Sequence, residues 1–69
     1  MRQSEILRRI ARAAKAANVT CTIVERTNHT GVIVGDVRTV VSRGTGLTEQ
    51  YAEMVYRQLE DVLGRGWWR

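Results

Sequence analysis

An α+β fold, with a helix, a three-stranded antiparallel sheet and a second helix, is what this 69-residue sequence predicts. Apolar residues recur at helical spacing near both ends of the chain. The middle is filled instead by runs of β-branched residues. Two of those runs are separated only by Gly35 and Asp36, and a two-residue loop containing glycine is the usual joint of a β-hairpin.

The first helix is expected from Ser4 to about Ala17. Ser4 is a helix-capping residue type, and Glu5 suits the positive end of the helix dipole. Ile6, Leu7, Ile10, Ala13, Ala14 and Ala17 form one apolar side, and Arg8, Arg12 and Lys15 fall on another at i, i+4, i+7. Asn18 tolerates the left-handed conformation that ends many helices. Val19 to Val24 reads as a first strand, Glu25-Arg26-Thr27-Asn28 as a polar turn, His29 to Val34 as a second strand and Val37 to Ser42 as a third.

The Gly35-Asp36 loop also sets a register. Val34 should pair with Val37, Val32 with Thr39, Thr30 with Val41 and His29 with Ser42. Side chains alternate along a strand, so one face carries Val32, Val34, Val37 and Val41 with two threonines, and the other carries His29, Gly31, Ile33, Arg38, Val40 and Ser42. The valine-rich face is the core candidate, which turns His29 outward. Arg43-Gly44-Thr45-Gly46 is a loop. Thr48 should cap the second helix, whose stripe is Ala52, Val55, Leu59, Val62 and Leu63 and whose end is marked by Gly64 and Gly66. Trp67, Trp68 and Arg69 form a short aromatic tail, expected to pack on the core or to anchor a partner.

Composition narrows the function classes. A chain of this length builds one thin core, so residues 1–69 are expected to form one domain. Eleven Lys and Arg against seven Asp and Glu give a net charge of +4, and all the basic residues but Lys15 are arginine. Arginine grips phosphates bidentately, which points toward an anionic polymer, although surface charge also serves solubility. Cys21 is the only cysteine. No internal disulfide can form, and Cys21 with His29 is too small a set for a structural zinc site, so no metal or cofactor is expected and the chain suits a reducing cytoplasm. Its alternation with Val19 and Ile23 makes Cys21 a core residue rather than a nucleophile. No apolar run reaches membrane-spanning length and no signal-peptide core is seen, so no membrane partner is expected.

His29 is the only histidine, and histidine exchanges protons near neutral pH, with an ordinary pKa of about 6.5. At the start of an exposed strand it can act as general base on an RNA 2′-hydroxyl or as acid toward a leaving oxygen. The residues expected to contact RNA are Arg26, Asn28, Arg38, Ser42 and Arg43 around it, with Lys15. An inert surface histidine is the alternative that the residues alone leave open. The element order is also that of a double-stranded-RNA-binding domain, which grips RNA by its shape and backbone.

Four stretches resemble HicA-type toxins. Ser4-Glu5-Ile6-Leu7-Arg8-Arg9-Ile10 is similar to that family's opening helix. Asn28-His29-Thr30 sits where the family has a small residue and a histidine at the start of strand two. Val40-Val41-Ser42-Arg43 resembles the approach to its Pro-Arg-His segment, and Leu59 to Arg69 resembles the ending of actinobacterial members. The resemblance implies a double-stranded-RNA-binding-like fold and a metal-independent endoribonuclease that cuts mRNA with His29 as its catalytic residue. It also implies a HicB-type antitoxin that covers the site. Two positions depart from the pattern. Thr27 replaces a frequent glycine, and Gly44 stands where many members carry a second histidine. A non-catalytic RNA-binding module and a protein-interaction subunit are therefore the alternatives.

Overall fold

The computed structural model describes all residues 1–69. The elements run α1 (Gln3–Ala16), β1 (Cys21–Glu25), β2 (His29–Val34), β3 (Val37–Ser42), α2 (Glu49–Arg57) and α3 (Glu60–Leu63). The sheet is antiparallel throughout, in the order β1-β2-β3, so the α-β-β-β-α layout expected from the sequence is the one found.

Helix α1 starts earlier than the Ser4 cap predicts. Arg2 is the capping residue, and its backbone N–H donates to the Glu5 carboxylate at 3.1 Å. Glu5 thereby does the work assigned to Ser4, satisfying a free N–H at the helix start. The far end matches expectation. Asn18 is left-handed, with φ of 58°, and the Asn18 and Val19 N–H groups donate to the Lys15 and Ala14 carbonyls. These are the two bonds of a Schellman stop. They draw Val19 out of the sheet, and Thr20 joins it only through its carbonyl, which accepts from the Gly35 N–H, so β1 begins at Cys21 instead of Val19 and extends to Glu25.

The hairpin register is the predicted one, from Val34 opposite Val37 to His29 opposite Ser42. Gly35 has φ of 58°, and a Cβ there would lie 3.1 Å from Val62 and 3.2 Å from Val19. Glycine is thus required both by the turn and by the close approach of α3.

Both helices cover the same face of the sheet. Ile6, Ile10 and Ala14 of α1, Val32, Val34 and Val41 of the sheet, Ala52, Val55 and Tyr56 of α2, and Leu59 form the buried core. Each fully buried aliphatic side chain contributes roughly 1.5–3 kcal/mol. Cys21 is only half-buried at the edge of this core, and its burial pushes the thiol upward from its ordinary pKa. It stays a thiol, not an activated nucleophile.

The second helix is broken where one stripe was expected. The Leu59 carbonyl accepts from both the Val62 and Leu63 N–H groups, and Gln58 and Leu59 form the turn between α2 and α3. The break keeps Leu59 fully buried and leads the chain back. Trp67 then lies edge-on to the Tyr56 ring at 5.0 Å, and its indole N–H donates to the Tyr56 carbonyl at 2.9 Å. Trp68 packs beside both rings. The tail therefore takes the inward-packed alternative.

Candidate functional site

The other face of the sheet has no helix over it. Alternation places Val24 on β1, His29, Gly31 and Ile33 on β2, and Arg38, Val40 and Ser42 on β3 on this side. Val40 is 54% exposed. Gly31 has no side chain, so a hollow of about 180 Å³ opens above it, lined by Val24, Arg26, His29, Ile33, Arg38 and Val40. That is smaller than the roughly 300 Å³ at which small-molecule pockets begin, so it fits one group of a larger ligand rather than a whole cofactor.

The electrostatics of this face are one-sided. No acidic residue lines the hollow. The chain contains two ion pairs, Arg43 with Glu25 and Arg57 with Glu53, so the exposed guanidinium groups of Arg26 and Arg38 are unpaired and available to an anion. No three His, Cys, Asp or Glu side chains come together in the way a metal site requires.

The structure brings Arg26, His29 and Arg38 together at the hollow, and it places the remaining sequence candidates differently. Asn28 lies in the exposed bend between β1 and β2. Ser42 is opposite His29, and the Tyr51 hydroxyl accepts from its N–H at 2.8 Å while donating to its Oγ at 3.1 Å. Arg43 turns back onto the bend. Its guanidinium donates to the carbonyls of Thr27 at 2.9 Å, His29 at 3.4 Å and Arg26, and approaches the Glu25 carboxylate at 3.5 Å. Its donors hold the turn that presents His29 instead of pointing into the hollow. Lys15 is far from this group. It lines a surface with Asn18, Val19 and Cys21 at the hairpin end of the sheet, on the helix layer.

Beneath the His29 end runs a polar chain that the sequence pattern did not reveal. The Gln3 amide donates to Thr30 Oγ1 at 2.8 Å and to the Val41 carbonyl at 3.3 Å. Thr30, fully buried, donates in turn to the Glu25 carboxylate at 2.7 Å, whose second oxygen faces Arg43. One network thus ties α1, β1, β2 and the loop after β3 together directly behind His29. Replacing Thr30 by valine keeps shape but leaves Gln3 and Glu25 without their shared partner. Because the Glu25 carboxylate is exposed and Gln3 keeps the Val41 carbonyl, a loss of about 0.5–1.5 kcal/mol is expected, read as a lower midpoint in urea denaturation with an unchanged slope. An unchanged midpoint would show that water replaces the threonine hydroxyl. Alternation put Gly31 on the His29 face but not the hollow above it, and the sequence favours helix-edge packing for Tyr51 without revealing its bonds to Ser42, because strand alternation predicts which face a residue takes but not which side chain reaches it from another element.

Fold and site together define a two-layer α+β domain with one bare, acid-free sheet face carrying a single histidine and two unpaired arginines that line the same hollow. No family model, curated protein or solved structure matches the chain.

Proposed function

We propose that this domain is a ribonuclease toxin of the HicA-like kind, cutting mRNA and held inactive by a cognate antitoxin. The observation that carries the reading is the acid-free hollow at Gly31, with His29 at its rim and the unpaired Arg26 and Arg38 beside it. The His29 imidazole takes the proton of a 2′-hydroxyl. The freed oxygen attacks the adjacent phosphorus, the 5′-oxygen leaves, and a 2′,3′-cyclic phosphate results. The proton taken by His29, or one from water, goes to the departing 5′-oxygen. Arg26 and Arg38 offset the charge that builds on the phosphoryl oxygens. Val24, Ile33 and Val40 leave an aliphatic strip beside the site, the kind of surface an antitoxin would cover.

One observation favours a second reading, an RNA-binding module without catalysis. His29 is the only histidine, and Arg43 is engaged by the turn carbonyls, so proton transfer rests on one side chain.

The test is degradation of mRNA by the purified protein, compared with Gly31→Val. A Cβ at Gly31 would meet nothing closer than the Val24 carbonyl oxygen at 3.5 Å, and its backbone is not left-handed. A β-branched residue therefore suits this strand position while filling the hollow. Cleavage is expected to fall at least about tenfold, as when a misplaced group disturbs substrate positioning, with the melting temperature kept or raised. Full cleavage by Gly31→Val would show that substrate does not use the hollow. Absence of cleavage by the wild type, with RNA affinity retained, would favour the binding module.

A further inference from the structure

The net charge of the chain is not spread over its surface. Helix α1 carries Arg8, Arg9, Arg12 and Lys15 against Glu5 alone, so most of the +4 charge resides on this one helix. The neighbouring α2 and α3 carry Glu49, Glu53, Glu60 and Asp61 against Arg57. The basic charge of the helices therefore lies in α1, while Arg65 and Arg69, just past α3, offset much of the acidity of α2 and α3.

At 100° per residue, the turn of an α-helix, Arg8, Arg12 and Lys15 lie opposite Ile6 and Ile10, which are fully buried against the sheet. The three cations accordingly face away from the core and are exposed. Neither ion pair of the chain involves them. Arg9 leans to the side, over the Tyr56 ring at 5.8 Å. Together with Arg8, Arg12 and Glu5 it lines a hollow of about 230 Å³ that has no apolar wall. Glu5 is engaged by the Arg2 N–H. This surface lies on the helix layer, whereas His29, Arg26 and Arg38 lie on the bare face of the sheet.

We propose that the outer face of α1 is a second RNA-holding surface, gripping the phosphate backbone without regard to sequence, on the layer opposite the His29 site. The proposal rests on the RNA reading above and extends it. Three cations at i, i+4 and i+7 span about 10 Å of helix, a track that meets successive phosphates along one strand. The hollow between Arg8, Arg9 and Arg12 has no apolar or aromatic lining, so that part of the face recognises charge. A membrane surface is disfavoured by the same geometry. The apolar side of α1 that would enter a bilayer, Ile6, Ile10 and Ala14, is already buried in the core.

The experiment compares wild type with the triple variant Arg8→Gln/Arg12→Gln/Lys15→Gln. Glutamine matches arginine and lysine in helix propensity, and circular dichroism melts confirm equal folding. Affinity for a labelled, non-cleavable 2′-O-methyl RNA is measured across a salt series, alongside the double variant Arg26→Gln/Arg38→Gln. The triple variant is expected to bind more weakly and to lose about 2 units from the slope of log affinity against log salt, since each neutralised phosphate contributes roughly 0.7–0.9. An unchanged slope in the triple variant, with a reduced slope in the double variant, overturns this proposal and leaves the sheet-face reading intact. A wild type without salt-dependent RNA affinity overturns both. Binding of the wild type, but not the triple variant, to phosphatidylglycerol vesicles, with equal RNA affinity in the two, also overturns it.

Discussion

Replacement of His29 by alanine is expected to remove RNA cleavage by about 10²–10⁴-fold, the range over which a general acid–base group acts, while RNA affinity and folding persist. The size follows from the site's composition. His29 is the only histidine, and the arginines around it, Arg26 and Arg38 at the hollow and Arg43 on the turn, are guanidinium groups that cannot take over proton transfer. Folding should persist because the side chain is exposed, and substitutions at such positions usually stay within about 0.5 kcal/mol. The strand end behind it is held by the Gln3–Thr30–Glu25 chain and by the Arg43 bonds to the turn, none of which uses the imidazole. Single-turnover cleavage, binding to uncleavable RNA and the melting temperature are measured together, with growth of a bacterial host as the cellular readout. A variant that cleaves as fast as wild type overturns the ribonuclease reading. A variant that loses cleavage by unfolding would mark His29 as structural.

Leu59→Ala is expected to have the largest effect on stability. Leu59 is fully buried at the turn where α2 gives way to α3, and its carbonyl accepts the N–H groups of Val62 and Leu63. Truncating a buried leucine removes about 2–5 kcal/mol through lost burial and the cavity left behind. A domain of this size holds roughly 3–10 kcal/mol in total, and each kcal/mol shifts melting by about 4–8 °C. The expected fall is therefore about 10 °C or more, enough to populate the unfolded state near growth temperature. Met54→Ala is the control. Met54 lies on α2 but is 48% exposed, so its melting temperature should scarcely move. Equal shifts in the two variants would show that the α2–α3 turn is not a fixed part of the core.

Much of the fold was legible along the chain because it is encoded locally. Gly35-Asp36 dictated the hairpin and, through period-two alternation, its register and faces. Asn18 and Thr48 marked helix ends by their own backbone and side-chain chemistry, and both act there as expected. The misjudged boundaries were decided by competition. Ser4 lost the α1 cap because Glu5 satisfies the N–H of Arg2. The apolar stripe from Ala52 to Leu63 concealed a break, because periodicity is equally kept by a helix that turns and continues at a new angle.

What this sequence determined by itself is its element types, its hairpin register and the outward orientation of His29. Each depends on residues close together in the chain, where φ/ψ preference and alternation act directly. The tertiary structure alone decided the company His29 keeps. It withdrew Arg43 to the turn carbonyls, left Arg26 and Arg38 unpaired at a hollow made by Gly31, and placed Lys15 on the helix layer. Charge partnerships of this kind join residues distant along the chain. They are fixed by which hydrogen-bond acceptors lie within reach once the layers have packed, and no local pattern records that.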